Sequence, residues 1–147
     1  MESTMKKLKT LAVFFCVSVL AGAPSAFAHG EDKPGPHGGV IRMPGAFHTE
    51  VVARGNNAID VYLLDFNWKN PIIKDSSVSV HHVDGERRTE LKCKPLETLF
   101  SCLAESVALR SGSLRVKASH LGMQGIEVTY PLPLRVGSNG DVHHMGH

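Results

Sequence analysis

Apolar and polar residues alternate with a period of two along much of the chain. Phe47, Thr49 and Val51 can share one face of an extended strand, while His48 and Glu50 point to the opposite face. The same alternation recurs in four later runs, at Ile59, Val61 and Leu63, at Val78 and Val80, at Leu114, Val116 and Ala118, and at Ile126 and Val128. This period is typical of half-buried β-strands.

Turn-forming residues separate these runs at nearly regular spacing. The turn signals lie at residues 54–57, 70–71, 84–86, 111–113 and 122–125. The only candidate for a helical turn is Leu103 to Leu109, and a loop there would serve equally well. Short, evenly spaced strands predict an all-β fold, and we expect a small antiparallel β-sandwich of the immunoglobulin-like type over residues 40–136.

The N-terminus has the three parts of a secretory signal peptide. Lys6, Lys7 and Lys9 precede an apolar run at residues 11–21, and an A-x-A pattern ends at Ala28. The run is shorter than the roughly 20 apolar residues that span a bilayer. We therefore expect a signal peptide over residues 1–28, cleavage after Ala28, export to the periplasm and no stable membrane anchor.

The two segments that flank the predicted sandwich lack this alternation. Residues 29–39 contain no apolar side chain and are rich in glycine and proline, which predicts a flexible lead-in. Residues 137–147 are similar in character and predict a mobile, histidine-rich tail. Removing 28 residues from the 147-residue chain leaves enough for one domain and too few for two.

Charge and motifs exclude several classes of function. The predicted signal contains three of the 16 basic and one of the 14 acidic residues, so 13 of each remain. A neutral domain has no electrostatic reason to bind nucleic acid or an anionic membrane surface. The chain has no H-E-x-x-H, G-x-S-x-G or P-loop motif, and we expect no enzymatic activity.

Two of the three cysteines would remain after cleavage, Cys93 and Cys102. An even pair in an oxidising compartment favours a disulfide. The segment 94–98 between them contains Pro95 and can turn the chain back, which would bring two strand residues face to face. A buried pair of free thiols and a pair of metal ligands are the alternatives.

All nine histidines lie beyond the predicted signal. Imidazole binds copper, zinc, nickel and cobalt, and a thioether adds a preference for Cu(I). His29 would become the N-terminal residue and offer both its α-amine and its ring to one ion. The tail places four donors within five residues, namely His143, His144, Met145 and His147. A flexible tract of this kind can wrap a metal ion, although a merely solvated tail is the alternative.

A second group of candidate ligands lies near the first strand. His29, His37, His48 and Glu50 would form one metal site if the lead-in folds over that strand. The alternatives are an exposed His37 ring in a turn and a surface pair formed by His48 and Glu50 on the wet face of the sheet. Since metal ligands must be deprotonated, binding should weaken below about pH 6.

The remaining histidines favour structural roles. His81 and His82 are adjacent on a strand, so their side chains point to opposite faces and cannot both bind one ion. His120 continues the apolar side of the strand at residues 114–118, which predicts a hydrogen-bonded histidine in the core or at its edge rather than a metal ligand.

Two motifs give the chain a resemblance to a known group of proteins. The G-P-H-G-G motif at residues 35–39 and the H-x-E-V-V motif at residues 48–52 resemble a pattern in small periplasmic proteins of heavy-metal efflux and copper-resistance systems. The pattern is also similar to a segment of efflux periplasmic adaptors. The resemblance implies a compact β domain that handles a transition metal, with His37, His48 and Glu50 as the matching residues.

These observations lead to one preferred hypothesis and one alternative. The preferred hypothesis is a periplasmic protein that binds a transition metal, copper first, with zinc, nickel or cobalt also accommodated. It would buffer the ion or pass it to an efflux system, with a periplasmic adaptor as partner. The alternative is a non-catalytic β-sandwich that docks on an envelope or efflux complex, with incidental histidines.

Overall fold

The structure is a computed structural model that describes residues 33–69 and 72–136. Those residues form ten β-strands and no helix. The strands are β1 (Val40–Arg42), β2 (His48–Arg54), β3 (Ala58–Leu64), β4 (Ser77–Asp84), β5 (Arg87–Glu90), β6 (Lys92–Pro95), β7 (Phe100–Leu103), β8 (Ser113–His120), β9 (Met123–Gln124) and β10 (Val128–Pro131). Across this part of the chain no helix qualifies as a membrane span. The predicted signal peptide and tail lie outside the described residues.

Two antiparallel sheets pack face to face. One, called sheet A, has the strand order β1-β2-β3-β7-β6, and the other, called sheet B, has the order β10-β8-β4-β5 with β9 paired to β8. The chain changes sheet between β3 and β4, between β5 and β6, and between β7 and β8. The prediction of a small antiparallel β-sandwich is confirmed.

The core between the sheets follows the predicted alternation. Sheet A contributes Val51, Ile59, Val61 and Leu63, together with Phe47 just before β2, and sheet B contributes Val80, Leu114, Val116, Ala118 and Tyr130. The pairing of Ile126 with Val128 on one inward face is wrong, because Ile126 precedes β10 and is 69% exposed. Its N–H donates to the carbonyl oxygen of Pro44 instead of joining the ladder to β8.

Strands β5 and β6 belong to one extended run that changes sheet at Leu91. The Leu91 side chain is buried in the core, and its N–H donates to the carbonyl oxygen of Val80. A strand that bends from one sheet into the other forms a corner of the sandwich. Thr89, Leu91 and Cys93 alternate with charged residues here, but the predicted strand runs included only Cys93, as one of two facing strand residues.

Cys93 and Cys102 form a disulfide bond, as predicted. They are directly opposite each other in the antiparallel pairing of β6 and β7. The bridge therefore joins neighbouring strands of sheet A, and the chain turns between them at residues 96–99.

The outer face of sheet A carries a second, smaller apolar cluster. Ile41, Tyr62 and Leu64 are buried there, and Val52, Trp68 and Leu99 pack against them. Two segments cover this face, residues 35–39 and residues 65–69. The opposite face of the molecule, on sheet B, carries polar side chains. The covered face of sheet A is where the predicted ligands His37, His48 and Glu50 lie.

Candidate functional site

Glu50 fastens the segment 35–39 to the outer face of sheet A. Its Oε1 accepts the backbone N–H of His37 at 2.8 Å and that of Gly39 at 2.9 Å. Its Oε2 lies 2.7 Å from Nδ1 of the His37 ring. The Glu50 side chain is 0% exposed, and burial of a carboxylate is tolerated when such partners satisfy its oxygens.

The glycines of the G-P-H-G-G motif allow this close approach. A Cβ on Gly35 would lie 2.4 Å from Cδ of Glu50, and a Cβ on Gly39 would lie 2.6 Å from the carbonyl oxygen of Val51. Gly38 has a φ of +77°, which favours glycine. The spacing of the motif is therefore accounted for by the way this segment packs on β2.

Two contacts, one with Tyr62 and one with Glu50, fix the orientation of the His37 ring. It stacks on the Tyr62 ring with centroids 3.6 Å apart and planes 5° from parallel. Because a carboxylate only accepts hydrogen bonds, Nδ1 carries the proton that is donated to Glu50. In the neutral ring the other nitrogen, Nε2, carries a lone pair, and no residue in 33–69 or 72–136 forms a hydrogen bond with it. The His37 side chain is 31% exposed.

This arrangement is common among metal-binding histidines. Such a histidine usually donates its second ring N–H to a carboxylate, which holds the ring and raises the basicity of the ligating nitrogen. His37 and Glu50 reproduce that pair, with Nε2 of His37 as the nitrogen that remains for a ligand. The alternative for His37 was an exposed ring in a turn with no metal-binding role, and the observed position of the ring is compatible with that alternative too.

His48 lies in a different hydrogen-bond network. Trp68 Nε1–H, which can only donate, donates to His48 Nε2 at 3.0 Å. His48 Nδ1 therefore carries the proton and donates to the carbonyl oxygen of Asp65 at 3.1 Å. Metal binding by His48 stays a prediction, and it requires one of these bonds to break.

The alternative of a surface pair on the wet face is wrong, because His48 and Glu50 are both buried. The sheet face that the pattern assigned to solvent is covered by residues 35–39 and 65–69. The roles of Tyr62 and Trp68 were missed for the same reason. One sequence signal pointed to a covered face. Tyr62 and Leu64 lie two positions apart on β3, so two large apolar side chains share the outer face of that strand.

The structure brings together only part of the predicted ligand set. His37 and Glu50 are in direct contact, and His48 lies on the same strand face as Glu50 with its own partners. The other predicted ligands lie outside the described residues, and they are His29, His143, His144, Met145 and His147. Within residues 33–69 and 72–136, no three or more His, Cys, Asp or Glu side chains are arranged to hold a metal ion.

His81 and His82 behave as their strand positions predict, whereas the prediction of a satisfied ring at His120 is wrong, because neither of its ring nitrogens has a hydrogen-bond partner among residues 33–69 and 72–136. His82 is buried, and its Nε2–H donates to the carbonyl oxygen of Ser111 at 2.8 Å. His81 points outward on sheet B between Glu90 and Arg115. His120 is a core histidine. Burial lowers its pKa, which the charge of Asp65 partly opposes.

Comparisons of the chain with protein-family models, with curated proteins and with solved structures find no match. The resemblance to periplasmic metal-handling proteins therefore stays a prediction.

Proposed function

We propose that this protein binds a transition metal ion, copper first, in the periplasm, and that it buffers the ion or passes it to an efflux system. The transfer is a ligand exchange and involves no catalysis. The observation that carries the proposal is the His37 ring, whose Nδ1 is held by the buried Glu50 while Nε2 keeps its lone pair.

His37 acts as the ligand in this proposal, and Glu50 acts on the ion through His37. Both Glu50 oxygens are already bonded to the segment 35–39, so the carboxylate orients the ring and raises the basicity of its Nε2. Neutral imidazole nitrogen suits copper, zinc and nickel. Copper comes first because the resemblance points to copper resistance.

One imidazole does not hold a metal ion alone, and the proposal takes the other ligands from the chain termini. His29 precedes His37 by eight residues, a length of chain that reaches up to about 28 Å. His143, His144, Met145 and His147 supply further nitrogen and sulfur donors. Because these ligands come from separate parts of the sequence, the ion can be exchanged one ligand at a time.

Calorimetric titration of the exported, processed protein with Cu(II), Zn(II) and Ni(II) tests the proposal. His37→Phe keeps an aromatic ring stacked on Tyr62 but removes both ring nitrogens. We expect this variant to bind Cu(II) roughly 10–100-fold more weakly, because one ligand and its hydrogen bond to Glu50 are lost. His81→Phe, on the outer face of sheet B, is the matched control and should bind as the unaltered protein does.

Two results would contradict the proposal. The first is an affinity no tighter than roughly 100 μM at neutral pH, which is weaker than specific sites show. The second is equal Cu(II) affinity in His37→Phe and His81→Phe, since the measured binding would then not involve His37.

A second candidate function is that of an interaction module, which exposed apolar side chains favour. Phe66 and Ile126 are each 69% exposed, and both lie in loops at the end of the sandwich where β2 begins. A contiguous patch formed by such side chains would be typical of a protein contact site. If this candidate is correct, Phe66→Ser combined with Ile126→Ser abolishes crosslinking to an efflux adaptor while Cu(II) binding is unchanged.

A further inference from the structure

His120 is buried at one end of the sandwich without the partners that a buried polar group needs. It is the last residue of β8 and is 2% exposed. Its ring meets the Phe47 ring edge-on, with centroids 5.4 Å apart and planes at 65°. Neither Nδ1 nor Nε2 has a hydrogen-bond partner among residues 33–69 and 72–136. Such a group costs folding free energy and calls for an explanation, of which a bound ion is one.

The adjacent turn places a second donor beside this ring. Leu121 and Gly122 form a two-residue turn with φ values of 51° and 79°, and Met123 in β9 is directly opposite His120. Residues opposite each other in an antiparallel pair have side chains on the same face, with Cβ atoms about 4.5–5.5 Å apart. Met123 is 42% exposed, so an ion has access from solvent to its side of the pair.

We propose that His120 and Met123 form a separate binding site for a soft monovalent metal ion of the Cu(I) class. An imidazole nitrogen and a thioether sulfur are the ligand types that select Cu(I) over harder cations. The site lies in the β8–β9 turn and shares no residue with His37 and Glu50, so it goes beyond the proposed function and stands without it.

The His120 ring is in the protonation state that a metal ligand needs. Burial lowers the pKa of His120, so the ring is neutral at neutral pH and has a nitrogen lone pair to give. The negative charge of Asp65 acts on this pKa in the opposite direction. Ag(I) is a redox-stable probe with the same ligand preferences as Cu(I).

The test is an Ag(I) titration of the full processed protein with ¹³C-labelled methionine methyl groups and ¹⁵N-labelled histidine rings, followed by NMR. The Met123 methyl signal and the His120 ring nitrogens should shift together and saturate together. Met123→Leu keeps an apolar side chain without sulfur. It should remove the His120 shift and weaken Ag(I) binding at this site roughly tenfold or more, as expected for disturbing one ligand position.

This experiment distinguishes a failure of the His120–Met123 site from a failure of the proposed His37 site. His37→Phe should leave the coupled response of His120 and Met123 intact even if it abolishes Cu(II) binding. The inference is overturned if the Met123 methyl signal stays fixed while Met145 responds. It is also overturned if Met123→Leu, with its amide spectrum showing a folded protein, retains the full His120 shift, since the ion would then bind the ring without the Met123 sulfur.

Discussion

At the scale of single residues, Glu50 shows how a charged group can be fully buried on the outside of a sheet. Its two oxygens receive three hydrogen bonds, all from His37 and Gly39, so the carboxylate exchanges water for fixed partners. The same contacts restrict the segment around it, because Gly35 and Gly39 leave no room for a side chain. The glycines and the carboxylate therefore act together to position His37.

This packing predicts that Gly39→Ala destabilises the protein by about 1–3 kcal/mol, the usual cost of forcing an extra methyl group into packed structure. The new Cβ would lie 2.6 Å from the carbonyl oxygen of Val51, which belongs to the backbone of β2 and cannot move aside. Urea unfolding followed by Trp68 fluorescence measures the change.

Gly45→Ala is the matched control, because its Cβ would have no atom closer than 3.7 Å. Its free energy of unfolding should stay within about 0.5 kcal/mol of the unaltered protein. Equal destabilisation by both substitutions would mean that the contact with β2 does not restrict position 39.

His120 predicts a pH dependence of stability. Because burial lowers its pKa, the unfolded chain binds a proton at this residue more readily than the folded protein does. The contribution to the free energy of unfolding is fully present above the unfolded pKa of about 6.5 and is lost progressively as the pH falls below it. Urea unfolding at several pH values between 5 and 8 measures this loss.

His120→Leu removes the titrating group and should flatten the dependence between pH 5 and 7, while the stability difference from the unaltered protein stays constant between pH 7 and 8. An unchanged slope in His120→Leu would show that the acid sensitivity arises from other groups.

At the scale of elements, the disulfide stabilises an edge of sheet A. Strand β6 is at the edge and pairs only with β7 within that sheet, and the Cys93–Cys102 bridge joins the two strands. We predict that Cys93→Ala combined with Cys102→Ala lowers the free energy of unfolding by about 2–3 kcal/mol, as expected for a short closed loop. Chemical unfolding of the variant and of the reduced, unaltered protein should agree.

Thiol titration of the unreduced protein gives an independent check on this element. The processed chain should contain no reactive thiol. Two titratable thiols would contradict the disulfide and would mean that Cys93 and Cys102 are either a free pair or a pair of metal ligands.

At the scale of the whole molecule, the two outer faces of the sandwich differ. Sheet A is covered by residues 35–39 and 65–69, while sheet B presents polar side chains such as His81, Arg115 and Lys117. The His37 ring lies on the covered face, stacked on Tyr62, and its side chain is 31% exposed. A metal ion bound there would link the termini to the folded domain and so stabilise the native state.

We therefore predict that Cu(II) raises the thermal unfolding midpoint of the protein. A ligand present at 100 times its dissociation constant adds about 2.7 kcal/mol to the free energy of unfolding when it binds only the native state. Differential scanning calorimetry with Cu(II), and again after removal by EDTA, measures the effect. His37→Phe should lose most of the increase and His81→Phe should keep it, whereas equal increases would place the ion elsewhere.

The alternation of apolar and polar residues was enough to predict the class of fold. Successive side chains in a strand point to opposite faces of the sheet. Val61 and Leu63 therefore lie on the same inward face, and His81 and His82 lie on opposite faces. The facing positions of Cys93 and Cys102 were predicted from a turn between two cysteines and from the expectation of export. These are local relations, and the order of residues in the sequence contains them.

The surroundings of the predicted ligands were decided only by the tertiary structure. His48 finds its partner Trp68 twenty residues away, and Glu50 finds His37 thirteen residues away, once two loops fold over a face that alternation assigns to water. The change of sheet at Leu91 was also decided by the tertiary structure, because β5 pairs with β4 in sheet B while β6 pairs with β7 in sheet A. Hydrogen bonds between distant segments depend on how the whole chain packs, and a pattern read along the sequence does not contain that information.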